Sequence, residues 1–350
     1  MRQPLMGLAL ATAALGAVSS SLSQAKAIES QTVAIQFEGM VGESPFACGE
    51  TYRLGERGTP VSAMDFRFYV SDVALIDTDG NEVPLVLQQD GKWQHQNVAL
   101  LDFEDKSGSC TNGTPEVRKQ VVGSVPAGDY TGVKFSLGVP FGLNHLDSTL
   151  APSPLNLTSL WWNWNAGYKF VRIDMMPMMD MAMPSGEDLL QRRKGGHGAH
   201  GENKLEAGGE HGDGHSGGHG GGHGNEHGGG HSSGHGAGGH GAGGHDEGTQ
   251  AFAFHLGSIG CQTDTAEAPV VCGIPNRPEI VLDNFDPAEG TIVADLAALF
   301  AQTNLAENQE NTPGGCMSSP ADGDCAGLMQ SLGLPFNQQP VAEQQFFGVK

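Results

Sequence analysis

The chain has 350 residues, with 18 Lys and Arg against 40 Asp and Glu, a formal charge of −22. That balance argues against a nucleic-acid partner, whose phosphates would be repelled. Glycine fills 53 positions, about twice ordinary usage. Hydrophobic residues make up 38% of the chain, too few for packing throughout and too many for complete disorder. The arithmetic therefore separates a folded part from a low-complexity part.

The first element is an export signal over residues 1–27. Arg2 supplies a positive start, Leu5 to Val18 is an apolar run, and Ala25-Lys26-Ala27 is an A-x-A cleavage site. The run is too short and wrongly flanked for a membrane span, and no later stretch reaches the ~18 apolar residues a span needs. Cleavage after Ala27 removes Arg2 and Lys26 and no acid, taking the charge to −24. The expected product is soluble and exported, periplasmic or secreted, with residues 28–350 forming a single domain.

Strands follow. Thr32 to Phe37 and Asp65 to Val70 read as the first two. Val73 to Ile76 and Val83 to Leu87 flank Asp77-Thr78-Asp79-Gly80-Asn81 and predict a hairpin. The acidic turn resembles the opening of a calcium loop, but the downstream EF-hand spacing is missing, so a hairpin turn is the better reading. Asp129 to Leu137 and Tyr168 to Asp174 alternate with period two, Phe252 to Ser258 is a further strand, and so is Glu279 to Leu282. Helical periodicity is scarce, and Val293 to Ala301 is the best helix candidate. Many short strands with regular turns predict an all-β chain, an antiparallel β-sandwich of immunoglobulin-like or barrel-like form.

Residues 193–249 are different material. Eleven of the fourteen histidines lie between His197 and His245. From His211 through His215, His219, His223, His227 and His231 to His235 they recur every fourth residue among glycines. With no apolar face to bury, the segment is expected to be a disordered insertion. Its imidazoles suit copper, nickel or zinc and would act as a metal buffer.

Six cysteines in an exported chain, Cys48, Cys110, Cys261, Cys272, Cys316 and Cys325, predict disulfides. Closeness in sequence favours Cys261–Cys272 and Cys316–Cys325, leaving Cys48–Cys110, one of about fifteen possible pairings. Met175, Met176, Met178, Met179, Met181 and Met183 fall within nine residues, and their soft thioethers favour Cu(I). Three of the four tryptophans fall in Trp161-Trp162-Asn163-Trp164. In a strand, Trp162 and Trp164 would share a face. His95, His145 and His255 stand outside the histidine tract as candidate ligands. Nucleophile-elbow, zincin and P-loop patterns are absent, so no catalytic constellation emerges and a non-enzymatic role is expected.

Several longer pieces then converge. They are Glu43 to Gly49, Asp65 to Val73, Val98 to Glu104 and Leu137 to Phe141 with Leu143-Asn144-His145. Trp161 to Trp164 with Gly167 to Phe170 and Arg172-Ile173-Asp174 is the most specific. Phe254 to Ser258 with Cys261, and Pro275-Asn276-Arg277, complete the set. Together the chain resembles the MbnP-like family of periplasmic copper-binding proteins, over most of residues 31–325 outside the histidine tract. The resemblance implies a MauG-like di-haem peroxidase as partner, oxidising a tryptophan to kynurenine. It marks Trp164 or Trp162 as the modified indole, His145 and His255 as imidazole ligands, and His95 as a weaker alternative. Copper acquisition or homeostasis is the implied role. The rival is a zinc- or nickel-buffering storage protein built on the histidine tract, and a copper oxidase ranks below both.

Overall fold

The computed structural model describes residues 29–163, 165–178, 250–263, 269 and 271–350. The signal-like segment 1–27, the insertion 193–249 with its histidines, Trp164, Met179, Met181 and Met183 lie outside the described residues. The chain divides into two units, one of Met1–Pro177 with Gln250–Lys350, the other Met178–Thr249. Only the first is described in structure, apart from Met178.

That first unit is an all-β sandwich with few short helices. One sheet has six strands, in the order Phe347–Val349, Thr291–Asp295, Ser30–Val41, Gln120–Pro126 and Val86–Leu87, with Ser44–Pro45 attached. The other has ten, its main path running Glu279–Asp283, Tyr130–Leu137, Thr59–Asp77, Val171–Pro177, Phe252–Leu256 and Gly315–Cys316. Pairing is antiparallel except where Ser30–Val41 meets Thr291–Asp295 and Phe252–Leu256 meets Gly315–Cys316, both parallel.

The hydrophobic core lies between the sheets. Phe68 on the long strand meets Phe37 and Phe347 of the opposite sheet, and Phe66 and Phe68 both meet Phe103 and Phe346. Phe346 and Phe347 have ring centroids 4.5 Å apart, and Phe66 and Phe103 are stacked at 4.8 Å. Such offset and edge contacts add to the apolar area these rings remove from water.

The other face of the ten-stranded sheet is also covered. Residues 138–170 leave the sheet, run across it and return. Tyr69, fully buried, donates to Pro154 O at 3.0 Å and packs edge-on against Tyr168, with centroids 6.0 Å apart. Tyr168 in turn donates to Leu155 O. Side chains that alternate with the core phenylalanines are therefore buried under this excursion instead of facing water.

Several local expectations change. The strands expected over Asp65–Val70 and Val73–Ile76 are parts of one 19-residue strand. The hairpin at Asp77 is present, with Asp77 Oδ1 accepting from the backbone N–H of Asp79 and Asn81. Its second arm splits: Glu82–Pro84 stays in the ten-stranded sheet, while Val86–Leu87 joins Gln120–Pro126 in the other. Val293 belongs to a strand, and the helix covers only Leu296–Phe300, with Asp295 accepting from Ala297 N as its cap. The free edge beside Gln36–Met40 accepts Thr291–Asp295 as a parallel neighbour, overriding the helical pattern.

Cys48–Cys110, Cys261–Cys272 and Cys316–Cys325 pair as closeness in sequence suggests, and they are consistent with an exported protein. Among the described residues no helix is long and apolar enough to cross a membrane.

Candidate metal centre

A ladder of ionisable side chains runs across the covered face. Registers place Asp102 opposite Arg67, Arg67 opposite Arg172, and Arg172 opposite His255, across four neighbouring strands. One step along, Asp65 faces Asp174. Two carboxylates directly opposite each other would repel, and the arginines resolve this. Arg67 Nε donates to Asp65 Oδ1 at 2.8 Å. Arg172 Nε lies 3.0 Å from Asp65 Oδ2 and 2.9 Å from Asp174 Oδ2.

At the end of this ladder His255 Nε2 is 2.7 Å from Asp174 Oδ1, and His255 is only 7% exposed. Burial lowers the His255 imidazole below its ordinary value, outweighing the nearby Asp174 carboxylate. Burial pushes the Asp174 carboxyl up, but the hydrogen bond and charge of His255 and the charge of Arg172 leave it below the usual range. At neutral pH the pair is thus a neutral imidazole beside a carboxylate. Nε2–H donates to Asp174, which leaves the Nδ1 lone pair as the ring's acceptor or metal-binding atom.

Above this pair lies the tryptophan segment. Trp161–Asn163 and Gly167–Tyr168 form a two-stranded ribbon. Asn163 Oδ1 closes its turn by accepting from Asn165 N at 3.0 Å and Ala166 N at 2.8 Å. The ribbon is fastened from below: Ser159 O accepts from Lys169 Nζ and Arg172 Nη1, both at 3.1 Å. Burial and the Arg172 charge bring the Lys169 ammonium down to about 8. Asn144 Oδ1 accepts from Tyr168 N at 2.9 Å.

Trp162 sits over the strand that carries His255, with ring centroids 6.5 Å apart and planes tilted by 52°. Glycine makes this possible. A Cβ at Gly257 would lie 2.4 Å from Trp162 Cζ3 and 2.8 Å from Tyr168 O. Trp161 packs against the core, and its indole N–H has no hydrogen-bond partner among the described residues.

The other sequence candidates fall elsewhere. His145 follows the short helix Phe141–Asn144; its ring stands 5.1 Å from that of Phe141, and its Nε2 is 3.4 Å from Cys272 Sγ. His95 lies on the short strand Gln94–His95, with Nε2 3.3 Å from Gln96 Nε2. Met175 is 0% exposed and faces the apolar core, so its thioether fills space there and is not presented to an ion. Met176 is half-buried and Met178 is exposed at 45%.

Asp65-Phe66-Arg67 and Arg172-Ile173-Asp174 carry charges to which the sequence pattern alone assigns no role. The signal was present: in each, two charges flank an apolar residue, so the charges share one face of a strand. Nothing in the pattern said that this face would be buried.

Fold and site define an all-β sandwich protein in which an indole lies against a neutral histidine held by a carboxylate. The MbnP family model matches residues 30–204 and 236–318, and the chain belongs to that family. Among solved structures it is similar to MbnP from Methylosinus trichosporium, with 26% identity and a TM-score of 0.66, covering 92% of this chain and 99% of that one. No curated protein matches it.

Proposed function

We propose that this chain is a methanobactin-related, periplasmic copper-binding protein, non-catalytic, in which Trp162 is oxidised to kynurenine and then contributes to the copper site. The observation that carries this reading is the placement of the Trp162 ring 6.5 Å from that of His255, whose Nε2 is already engaged by Asp174. The donor set fits copper. A neutral imidazole is a copper ligand, whereas an intact indole N–H only donates. Cleaving the indole C2–C3 bond inserts two oxygen atoms. Hydrolysis by one water then releases the formyl carbon as formate and frees an aromatic amine with a lone pair. Two equivalents of hydrogen peroxide supply the four oxidising equivalents and leave two waters, and a MauG-like di-haem peroxidase is the partner that would use them.

His255 Nδ1 and the amine derived from Trp162 would hold the ion, which is cargo here. Asp174 fixes the tautomer and orientation of His255. Arg172 holds Asp174, and the covering ribbon excludes water. His145 is left out of this site because its Nε2 faces the disulfide sulfur at 3.4 Å. The Met and His tracts would raise the local metal concentration near the structured site.

Intact mass and fragmentation of the protein from its native host test this reading. The expected result is a kynurenine at residue 162 and one tightly held copper, both lost in Trp162→Phe. Unmodified tryptophans throughout 161–164 in copper-limited and copper-replete cells would defeat it. Copper, zinc and nickel held equally, and all lost when residues 195–249 are deleted, would instead support metal buffering by the histidine tract.

A further inference from the structure

We propose that Cys261, Cys272 and His145 form a redox-gated site for a thiophilic metal ion, closed while the disulfide is intact and opened by its reduction. The inference is independent of copper binding at Trp162 and His255. One imidazole nitrogen of His145 and the two sulfurs lie within 4.8 Å of one another, the one such trio of His, Cys, Asp or Glu among the described residues. The nitrogen Nε2 is already 3.4 Å from Cys272 Sγ; it also stands 3.3 Å from Asn144 Nδ2, whose hydrogen bond it exchanges for the ion on binding. Ordinary metal–nitrogen and metal–sulfur bonds meeting at a tetrahedral angle place N and S about 3.5 Å apart, so the imidazole stands close to a ligating position.

The disulfide is built to be reached. Cys261 and Cys272 are directly opposite each other on the hairpin Ile259–Gln262 and Val271–Ile274, which belongs to neither large sheet. Both are partly exposed, whereas Cys316 and Cys325 are 0% exposed and the third bridge joins a partly exposed Cys48 to Cys110, which is 0% exposed. A cavity of about 180 Å³ borders Cys272, lined also by Phe141, Ser258, Val271, Pro275 and Arg277. Thiol–disulfide exchange needs in-line access to a sulfur, and this is the one bridge with both of its cysteines partly exposed.

The step balances with a dithiol as reductant. The dithiol gives two electrons and two protons to the S–S bond and itself becomes a disulfide; Cys261 and Cys272 become thiols. On binding the ion both thiols lose their protons to solvent, and His145 ligates as neutral imidazole. Two thiolates on such an ion sit about 3.8 Å apart, which side-chain rotation reaches from opposite positions of a hairpin without a change of register. Two thiolates and one imidazole select Cu(I) or Zn(II) and leave one position open.

Cobalt(II) is the probe, because only thiolate ligation gives the sulfur-to-cobalt charge-transfer band in the near ultraviolet, whatever the histidine tract binds. The full mature chain is treated anaerobically with limiting dithiol, and alkylation with peptide mass mapping confirms free thiols at 261 and 272. We expect no band in the oxidised protein and one that saturates at one cobalt per chain after reduction, displaced by Zn(II) or Cu(I). Cys261→Ser/Cys272→Ser abolishes it, and His145→Gln weakens binding roughly tenfold or more. Trp162→Phe and His255→Ala leave it intact, which separates this site from the copper reading. Confirmed free thiols with no band, or a band and affinity unchanged in His145→Gln, would overturn the proposal.

Discussion

At the scale of single residues, the site depends on which nitrogen of His255 is free. A lone histidine on a strand says nothing about this, and the 2.7 Å contact with Asp174 decides it. Asp174 is held by Arg172, which Asp65 also holds, so the carboxylate has little freedom to turn away. Replacing Asp174 by Asn keeps the shape but permits the wrong imidazole tautomer. We expect Asp174→Asn to keep one copper per chain while lowering its affinity about 10–100-fold, the usual effect of losing such a partner. Competition against a chelator of known affinity measures this, and an unchanged affinity would remove Asp174 from the site. Met175 shows the opposite case: soft-ligand chemistry was legible in the methionine run, but the strand's alternation turns this one into the core.

At the scale of elements, the ribbon carrying Trp162 is positioned by backbone contacts that tolerate no side chain. At Gly257 an added Cβ meets the Tyr168 carbonyl at 2.8 Å as well as the indole at 2.4 Å, and a carbonyl in a paired ribbon cannot swing aside. Gly257→Ala should therefore cost about 1–3 kcal/mol of stability, the scale of overpacking a filled site. Its indole should become more exposed, read as a red shift in tryptophan emission together with a lower Tm. A variant with native stability and emission would show that the ribbon is not seated on this glycine. The split second arm of the hairpin has a related cause. Val83 to Leu87 is a continuous apolar run that reads as one strand, yet its halves join different sheets, because Pro84 and buried Leu85 carry the chain across the sandwich.

At the scale of the whole molecule, a covered polar face is expensive to maintain and leaves a signature in pH. Burial pushes the Asp102 carboxyl up from 3.8 to about 8, with the Arg67 charge opposing. A carboxyl whose folded value is raised binds its proton more tightly in the fold than in the unfolded chain. Its contribution is present below about 4 and is lost as the pH rises toward about 8. Asp102→Asn removes the titration but keeps the shape. Denaturant melts at several pH values should show a smaller loss of stability between pH 4 and 8 in the variant than in the parent. Parallel curves would mean that Asp102 stays ionised throughout. The strands flanking the histidine-rich segment also pair directly, Met175 opposite Phe252, so residues 178–249 connect two neighbouring strands of one sheet.

The amino-acid order by itself determined the β class, the cysteine pairs closest in sequence and the residue types from which a copper site could be made. Those are local properties: alternation, composition and spacing along the chain. Tertiary structure decided that Asp102, Arg67, Arg172 and His255 stand side by side, that Trp162 covers the last of them, and that His145 faces a disulfide. These depend on strand register and on the excursion after residue 138 folding back over the sheet. Period-two alternation leaves the register free in steps of two, and only packing of the complete chain selects one.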